Sequence, residues 1–308
     1  MNNFTHKLYI LTKQDQTYRQ LLAERDLEDL EITEDKQQAT ILLAAPPLAA
    51  KQLDEFPNLQ WLQSVYAGVE PLMTPSLRQD YQLTNIKGIF GPLIAEYVLG
   101  YSLQYYRHFV QYKQQQSNQE WHAYSFDSLA TKTMVILGTG SIGAHLAHAS
   151  NHFGIKTMGI NRSGIPPKDS PFDTVYHIQQ LELALENADI IVNTLPNTEQ
   201  THHLLNQESL SFAKQALLFN VGRGNTLEIT GLLSAIEQQN IAHAYLDVFD
   251  QEPLPQDSPL WHHPAITITP HVAAPSFPKQ VAGIFADNYL QWRDGFTLNH
   301  QVDFIRGY

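Results

Sequence analysis

The stretch Val135-Ile136-Leu137-Gly138-Thr139-Gly140-Ser141-Ile142-Gly143 decides the fold. Its first half is an apolar, β-branched run that reads as a buried strand. It closes in G-x-G-x-x-G, and an alanine-rich helical pattern follows. That order is what a phosphate-binding strand–turn–helix requires. Gly138 permits the tight turn, Gly140 admits a pyrophosphate to the backbone, and Gly143 lets helix and strand pack closely. Free N–H groups at the helix start, on Ser141 and Ile142, then face the phosphates. A bare G-x-G-x-x-G is weak, because any glycine turn between strand and helix can match it. Here the strand before it and the helix after it make the case for a dinucleotide site.

From Thr133 onward the pattern repeats strand and helix: Met134–Leu137, Lys156–Ile160, Asp189–Thr194, Ala216–Val221, Ala242–Val248 and Ile266–Thr269. Six strands with intervening helices predict a doubly wound parallel sheet of Rossmann type. The first hundred residues read as a smaller α/β unit without a phosphate loop. Its strands are predicted at Lys7–Leu11, Thr40–Ala44 and Leu59–Val65, with a helix over Gln16–Arg25. A long helix opens at Pro92 with Ile94, Tyr97, Val98, Tyr101, Tyr105 and Phe109 as a stripe. The polar stretch Gln111–Glu120 is expected to be solvated. A last helix covers Phe277–Trp292, and the remainder is too short to stand alone. The chain is therefore expected to return: residues 1–98 completed by 281–308 form a flavodoxin-like α/β domain, into which the Rossmann domain 99–280 is inserted.

The bulk numbers agree with a two-domain globular protein. At 308 residues, 43% hydrophobic and 16% charged, the composition is ordinary. A formal net charge of −12 argues against a nucleic-acid surface and requires any acid-binding site to carry its own cation. The absence of Cys excludes disulfide and thiol chemistry and fits a reducing cytoplasm. The N-terminal residues lack the layout of a signal peptide, and no apolar run approaches the length of a membrane span.

Three segments stand at predicted strand ends, where open α/β sheets bind ligands. In Asn220-Val221-Gly222-Arg223-Gly224, an arginine flanked by glycines can clamp a carboxylate, or can make a structural ion pair. Asp247-Val248-Phe249-Asp250-Gln251-Glu252-Pro253 is an acid-rich loop whose single carboxylates read first as solvated charges. Thr269-Pro270-His271-Val272-Ala273 presents an imidazole, although a lone His is more often structural. After the strand Lys156–Ile160 comes Asn161-Arg162-Ser163. No Asp or Glu occupies the place where one accepts from an adenine ribose 2′-OH. Arg162, with Asn161 and Ser163, is instead suited to a 2′-phosphate, so NADP(H) is expected over NAD(H).

Taken in order, G-x-G-x-x-G, V-G-R-G, D-V-F-x-x-E-P-L-P and T-P-H-V-A resemble the D-isomer-specific 2-hydroxyacid dehydrogenase family. The resemblance extends over essentially the whole chain. It includes Ala67-Gly68-Val69, Thr194-Leu195-Pro196 and His203-Leu204-Leu205-Asn206. Ala45-Pro46-Pro47, the A-G-V turn and Trp121 make the glyoxylate/hydroxypyruvate reductase branch the nearest. It implies that Arg223 binds the substrate carboxylate and carbonyl, that His271 donates the proton during reduction, and that Glu252 is its partner. Tyr66, Gly68 and Val69 are then expected at the substrate, and Leu195, Pro196, Val221 and Asp247 at the cofactor, Asp247 accepting from the nicotinamide carboxamide. The physical logic agrees, since hydride arriving at C2 leaves charge on oxygen that needs a proton and a cation nearby.

Two positions depart from the family pattern. Glu70 stands where the turn usually ends in Asp, and Ala44 replaces a bulkier residue, which widens the expected range of substrates beyond glyoxylate. A homodimer through the nucleotide domain is expected, with Trp121 reaching the partner. The rival from another class is a dinucleotide-sensing corepressor of the same fold, disfavoured because all three catalytic positions are retained. A formate dehydrogenase would place Gln at position 252, and a phosphoglycerate dehydrogenase would continue past Tyr308. His145, His148 and His152 lie beside the buried stripe of their helix, and neither they nor the pairs His202-His203 and His262-His263 are assigned a metal.

Overall fold

The structure, a computed structural model, describes residues 5–305. The start of the N-terminal stretch, which lacks a signal-peptide layout, and the end of the returning segment 281–308 lie outside the described residues. In chain order the elements are β1 (His6–Leu11), α1 (Asp15–Ala23), β2 (Leu30–Ile32), β3 (Ile41–Ala44), α2 (Pro46–Ala49), β4 (Trp61–Ser64) and β5 (Gln82–Thr84). Then come α3 (Gly91–Tyr106), α4 (Phe109–Asn118), β6 (Thr133–Leu137), α5 (Ser141–His152), β7 (Lys156–Asn161), β8 (Thr174–His177), α6 (Leu181–Leu185) and β9 (Ile190–Asn193). The run closes with α7 (Gln207–Leu210), β10 (Ala216–Asn220), α8 (Ile229–Glu237), β11 (Ile241–Leu246), β12 (Ile266–Ile268) and α9 (Pro278–Arg293). Among the described residues no helix is long and apolar enough to cross a membrane.

The chain divides into two units. One comprises the residues up to Ile89 together with Ser276 onward, and the other is Phe90–Pro275. The boundaries expected at 98/99 and 280/281 would each cut a helix, α3 and α9. A helix is cooperative and is not divided between two cores. Gly91 explains why α3 goes whole with the second unit: it lies so close to His145 of α5 that a Cβ there would come within 2.6 Å of the His145 Cβ.

The first unit holds a parallel five-stranded sheet in the order β2-β1-β3-β4-β5, the flavodoxin-like arrangement. The returning chain is tied to it by buried amides. Asn288 donates from Nδ2 to Gln63 Oε1 at 3.0 Å, and Val302 N–H donates to Leu83 at 2.8 Å.

The second unit holds seven parallel strands in the order β12-β11-β10-β9-β6-β7-β8. Read from β6, this is the doubly wound Rossmann order with one further strand. Both faces are covered, so successive residues of a strand serve different cores. Val135 and Leu137 of β6 join the cluster with Leu218 and Leu246, while Met134 and Ile136 join the one with Ile94, Val98 and Phe219.

The helix stripe from Pro92 is broken where continuity to Phe109 is expected. His108 adopts a left-handed conformation (φ 55°), ending α3 and restarting the chain as α4. Phe109 and Val110 are exposed as a result, as are Trp121, Tyr124 and Phe126. The stretch expected to be merely solvated is the helix α4.

Candidate active site

In the second unit the strand order reverses between β6 and β9, and the glycine turn sits at that point. Gly138 has φ 106°, and a Cβ there would meet Thr194 Oγ1. At Gly143 a Cβ would overlap the Gly138 carbonyl, so helix and turn close only because neither residue carries a side chain. Gly140 has nothing within 4 Å of its Cβ position. The first helical bond of α5 runs from Ala144 N–H to the Gly140 carbonyl, which leaves the N–H groups of Ser141, Ile142 and Gly143 as the unsatisfied donors of a helix start. An open backbone, three such donors and the positive end of the helix fit a pyrophosphate.

At the end of β7, the side chain of Asn161 braces the loop that follows and ties it to the glycine turn. Its Oδ1 accepts from Ser163 N–H at 3.0 Å and Gly164 N–H at 2.6 Å, and its Nδ2 donates to Ile165 O at 2.8 Å and Thr139 Oγ1 at 3.0 Å. Ser163 Oγ also bonds Asn161 Oδ1, at 3.2 Å. These bonds shape the turn that exposes Arg162.

Leu195 and Pro196 follow β9 and lie against the other loops. A Cβ on Gly222 would strike the backbone of Leu195, and Pro196 O accepts from Thr201 Oγ1 at 2.7 Å. Two buried asparagines, Asn193 and Asn220, align this edge. Asn193 Nδ2 donates to Asn220 Oδ1 at 2.8 Å, and Asn220 Nδ2 donates to the Arg223 carbonyl at 3.1 Å. An apolar strand ending in Asn at both places is the signal that could have marked them.

Arg223, Glu252 and His271 follow β10, β11 and β12, three neighbouring strands of one sheet. Val221 opens the turn to Arg223, whose half-buried side chain donates from Nη1 to the Gly222 carbonyl at 2.7 Å. Gly224 is pressed onto the backbone of Phe249 and Asp250, which fastens the arginine loop to the loop that carries Glu252. Glu252 Oε1 accepts from Phe249 N–H at 3.0 Å, and Oε2 lies 2.8 Å from His271 Nδ1. The imidazole edge that carries Nε2 is therefore left for a reacting group, and the His271 side chain is 54% exposed.

His271 itself is left-handed, with φ 54°, a conformation that a residue with a Cβ holds only under constraint. The constraint is Asp247. Its carbonyl accepts from His271 N–H at 2.9 Å. Its carboxylate, in a residue 2% exposed, accepts from Thr269 Oγ1 at 2.6 Å, Val272 N–H at 2.9 Å and Ala273 N–H at 3.0 Å. Three of roughly four acceptor sites are thus taken, leaving one on Oδ2 for a cofactor amide.

In the first unit, Tyr66, Gly68 and Val69 form a turn that its neighbours hold. Ser64 Oγ bonds Tyr66 N–H at 2.9 Å and the Tyr66 carbonyl at 2.8 Å, and Asn85 Nδ2 donates to the Ala67 carbonyl at 2.8 Å. Ala44 is fully buried at the end of β3. Among the described residues no group of three His, Asp or Glu side chains could hold a metal ion.

Residues 99–273 match the family model described as D-isomer specific 2-hydroxyacid dehydrogenase, NAD binding domain. The chain belongs to this dehydrogenase family. Glyoxylate/hydroxypyruvate reductase A of Serratia proteamaculans (strain 568) is 35% identical over 248 residues, 80% of this chain and 76% of the relative. A family protein from Aeromonas salmonicida subsp. salmonicida A449 has a crystal structure with TM-score 0.92 at 42% identity, covering 97% of this chain and 99% of that one. A family dehydrogenase from Xanthobacter autotrophicus Py2, crystallised with NADPH and MES, has TM-score 0.87 at 27% identity, covering 99% and 100%. The protein is accordingly an oxidoreductase of the 2-hydroxyacid dehydrogenase class, and its second unit carries the family's NAD-binding domain.

Proposed function

We propose that the protein reduces a small 2-oxoacid to the D-2-hydroxyacid with NADPH, and that glyoxylate, hydroxypyruvate or a bulkier 2-oxoacid is the substrate. The observation that carries this reading is the His271–Glu252 pair at 2.8 Å, with the Glu252 loop pressed onto the loop that bears Arg223. A bound nicotinamide dinucleotide supplies the hydride that reaches C2. Arg223 holds the substrate carboxylate and the carbonyl oxygen, and its fixed positive charge offsets the negative charge that builds on that oxygen. His271, as imidazolium, gives the Nε2 proton to the oxygen and ends neutral. Glu252 keeps the Nδ1 proton in place, so that the ring presents Nε2 to the substrate.

The NADPH preference rests on Arg162 standing where an acid would serve NADH, and the name of the Serratia relative supports the substrate class. The exposed aromatic residues from Phe109 to Phe126 support a homodimer with Trp121 at the contact. The test is NADPH consumption over a panel of 2-oxoacids by the parent and by His271→Ala. General acid catalysis predicts that the variant loses roughly 10²–10⁴-fold in kcat. A His271→Ala enzyme that turns over like the parent sinks the assignment of the acid. A protein inert towards every 2-oxoacid, yet still binding NADPH, favours a dinucleotide-sensing role.

A further inference from the structure

The proton-transfer residues leave one chain of hydrogen bonds without a task. It begins at Tyr97 on α3 and ends at the carboxylate of Asp247. Tyr97 OH lies 2.8 Å from Thr269 Oγ1, and Thr269 Oγ1 donates to Asp247 Oδ1 at 2.6 Å. Thr269 has a single hydroxyl proton, and the buried carboxylate takes it. Tyr97 must therefore be the donor, and the chain runs one way, phenol to hydroxyl to carboxylate. Burial pushes the Tyr97 hydroxyl well above its ordinary value, so it stays a donor at any pH the enzyme meets. Its ring is held edge-on by Tyr101, with centroids 4.9 Å apart.

We propose that Tyr97 is a positioning residue for His271, acting through Thr269 and the carboxylate of Asp247. The inference rests on the reading of His271 as the proton donor. Asp247 is what forces the left-handed bend at His271, because it gathers the N–H groups of His271, Val272 and Ala273 around one residue. A carboxylate fixed only by the loop it is meant to fix could swing with that loop. Thr269 lies in the same loop. Tyr97 is the donor from outside it, on a helix packed into the core, and so it gives the assembly a fixed reference. Bonds in such a chain strengthen one another, and loss of the outer member weakens the inner one. For packing alone, phenylalanine would serve at this position.

The test uses Tyr97→Phe, Thr269→Val and the double variant. It has two readouts, amide hydrogen exchange over 269–275 in the substrate-free protein and steady-state kinetics with NADPH. Tyr97→Phe is expected to speed exchange at Val272 and Ala273 by about three- to tenfold, the worth of one hydrogen bond, and to lower kcat by a similar factor. KM for NADPH should rise by no more than the same factor, since the Asp247 carboxylate also faces the cofactor amide. The double variant should be no slower than Thr269→Val alone, since both substitutions break one chain. Unchanged exchange at Val272 and Ala273 overturns the proposal. So do additive losses in the double variant, and so does faster exchange spread along α3 and β10, which marks a packing role. If no 2-oxoacid is reduced, the substrate reading falls while the exchange result still decides the role of Tyr97.

Discussion

Replacing Glu252 by Gln tests how the acid is held, and the effect can be worked from two distances. Oε1 accepts from Phe249 N–H at 3.0 Å, and Oε2 pairs with His271 Nδ1 at 2.8 Å. Glutamine has one acceptor where glutamate has two. If its carbonyl keeps the Phe249 N–H, its NH₂ faces Nδ1 and demands a bare nitrogen there. The ring is then neutral with its only proton on Nε2, and it cannot release that proton without becoming an anion. If the amide turns over, Nδ1–H is satisfied but the NH₂ meets the Phe249 N–H, donor against donor. An unsatisfied donor costs about 1–3 kcal/mol, and partial exposure of Glu252 places this case towards the low end. That makes the competent orientation about five- to thirtyfold rarer. A neutral amide also weakens the charge-assisted hydrogen bond that holds Nδ1, a further factor of about ten. Glu252→Gln should therefore lower kcat by roughly 10²–10³-fold with little change in NADPH affinity. Initial rates at saturating hydroxypyruvate, beside binding titration of NADPH, measure both. A variant with kcat near that of the parent, or one whose loss is all in NADPH binding, refutes the reasoning.

Gly143→Ala places a methyl group on the Gly138 carbonyl, which is backbone and cannot swing away. It should cost about 3 kcal/mol or more and abolish tight NADPH binding, checked by thermal unfolding and titration; a stable variant of parental affinity contradicts the turn described. His243, its ordinary value lowered by burial and then by His263, stays neutral in the fold while the unfolded chain protonates. Its contribution to stability is therefore lost as pH falls through the unfolded value near 6.5 towards the lower folded one, and His243→Gln should show a shallower fall of Tm over that interval. Equal slopes in both proteins would dismiss it. Arg162→Ala should reduce the preference for NADPH over NADH by about ten- to a hundredfold in kcat/KM, and an undiminished preference moves the cause elsewhere. Light scattering at micromolar concentration should give twice the chain mass, and a monomer there removes the role given to Trp121.

The interior strands were legible because each is an apolar run buried on both faces. Val135-Ile136-Leu137 and Leu217-Leu218-Phe219 leave no other reading. The strands missed were β2, β5 and β8, all at sheet edges and three or four residues long. An edge strand is half solvated and pairs on one side only, so Leu30-Glu31-Ile32 and Thr174-Val175-Tyr176-His177 carry little apolar signal. The glycine turn was legible because its chemistry is local. So were the segments of Arg223, Glu252 and His271, once taken in order. The bonds that aim them were not. Tyr97 and Thr269 are 172 residues apart and meet through the fold alone. The bonds from Ser163 and Gly164 to Asn161, which shape the loop bearing Arg162, likewise depend on backbone geometry that no local pattern announces.

The abutment of Gly224 on Phe249 and Asp250 has a consequence for how such a chain can change. The loops after β10 and β11 are cast as a single piece. A residue inserted into either must lift the other, and the arginine and the glutamate would drift together. Loop length, the usual freedom of α/β enzymes, is therefore closed at this edge of the sheet. New substrates have to be reached by exchanging side chains on a backbone that stays where it is.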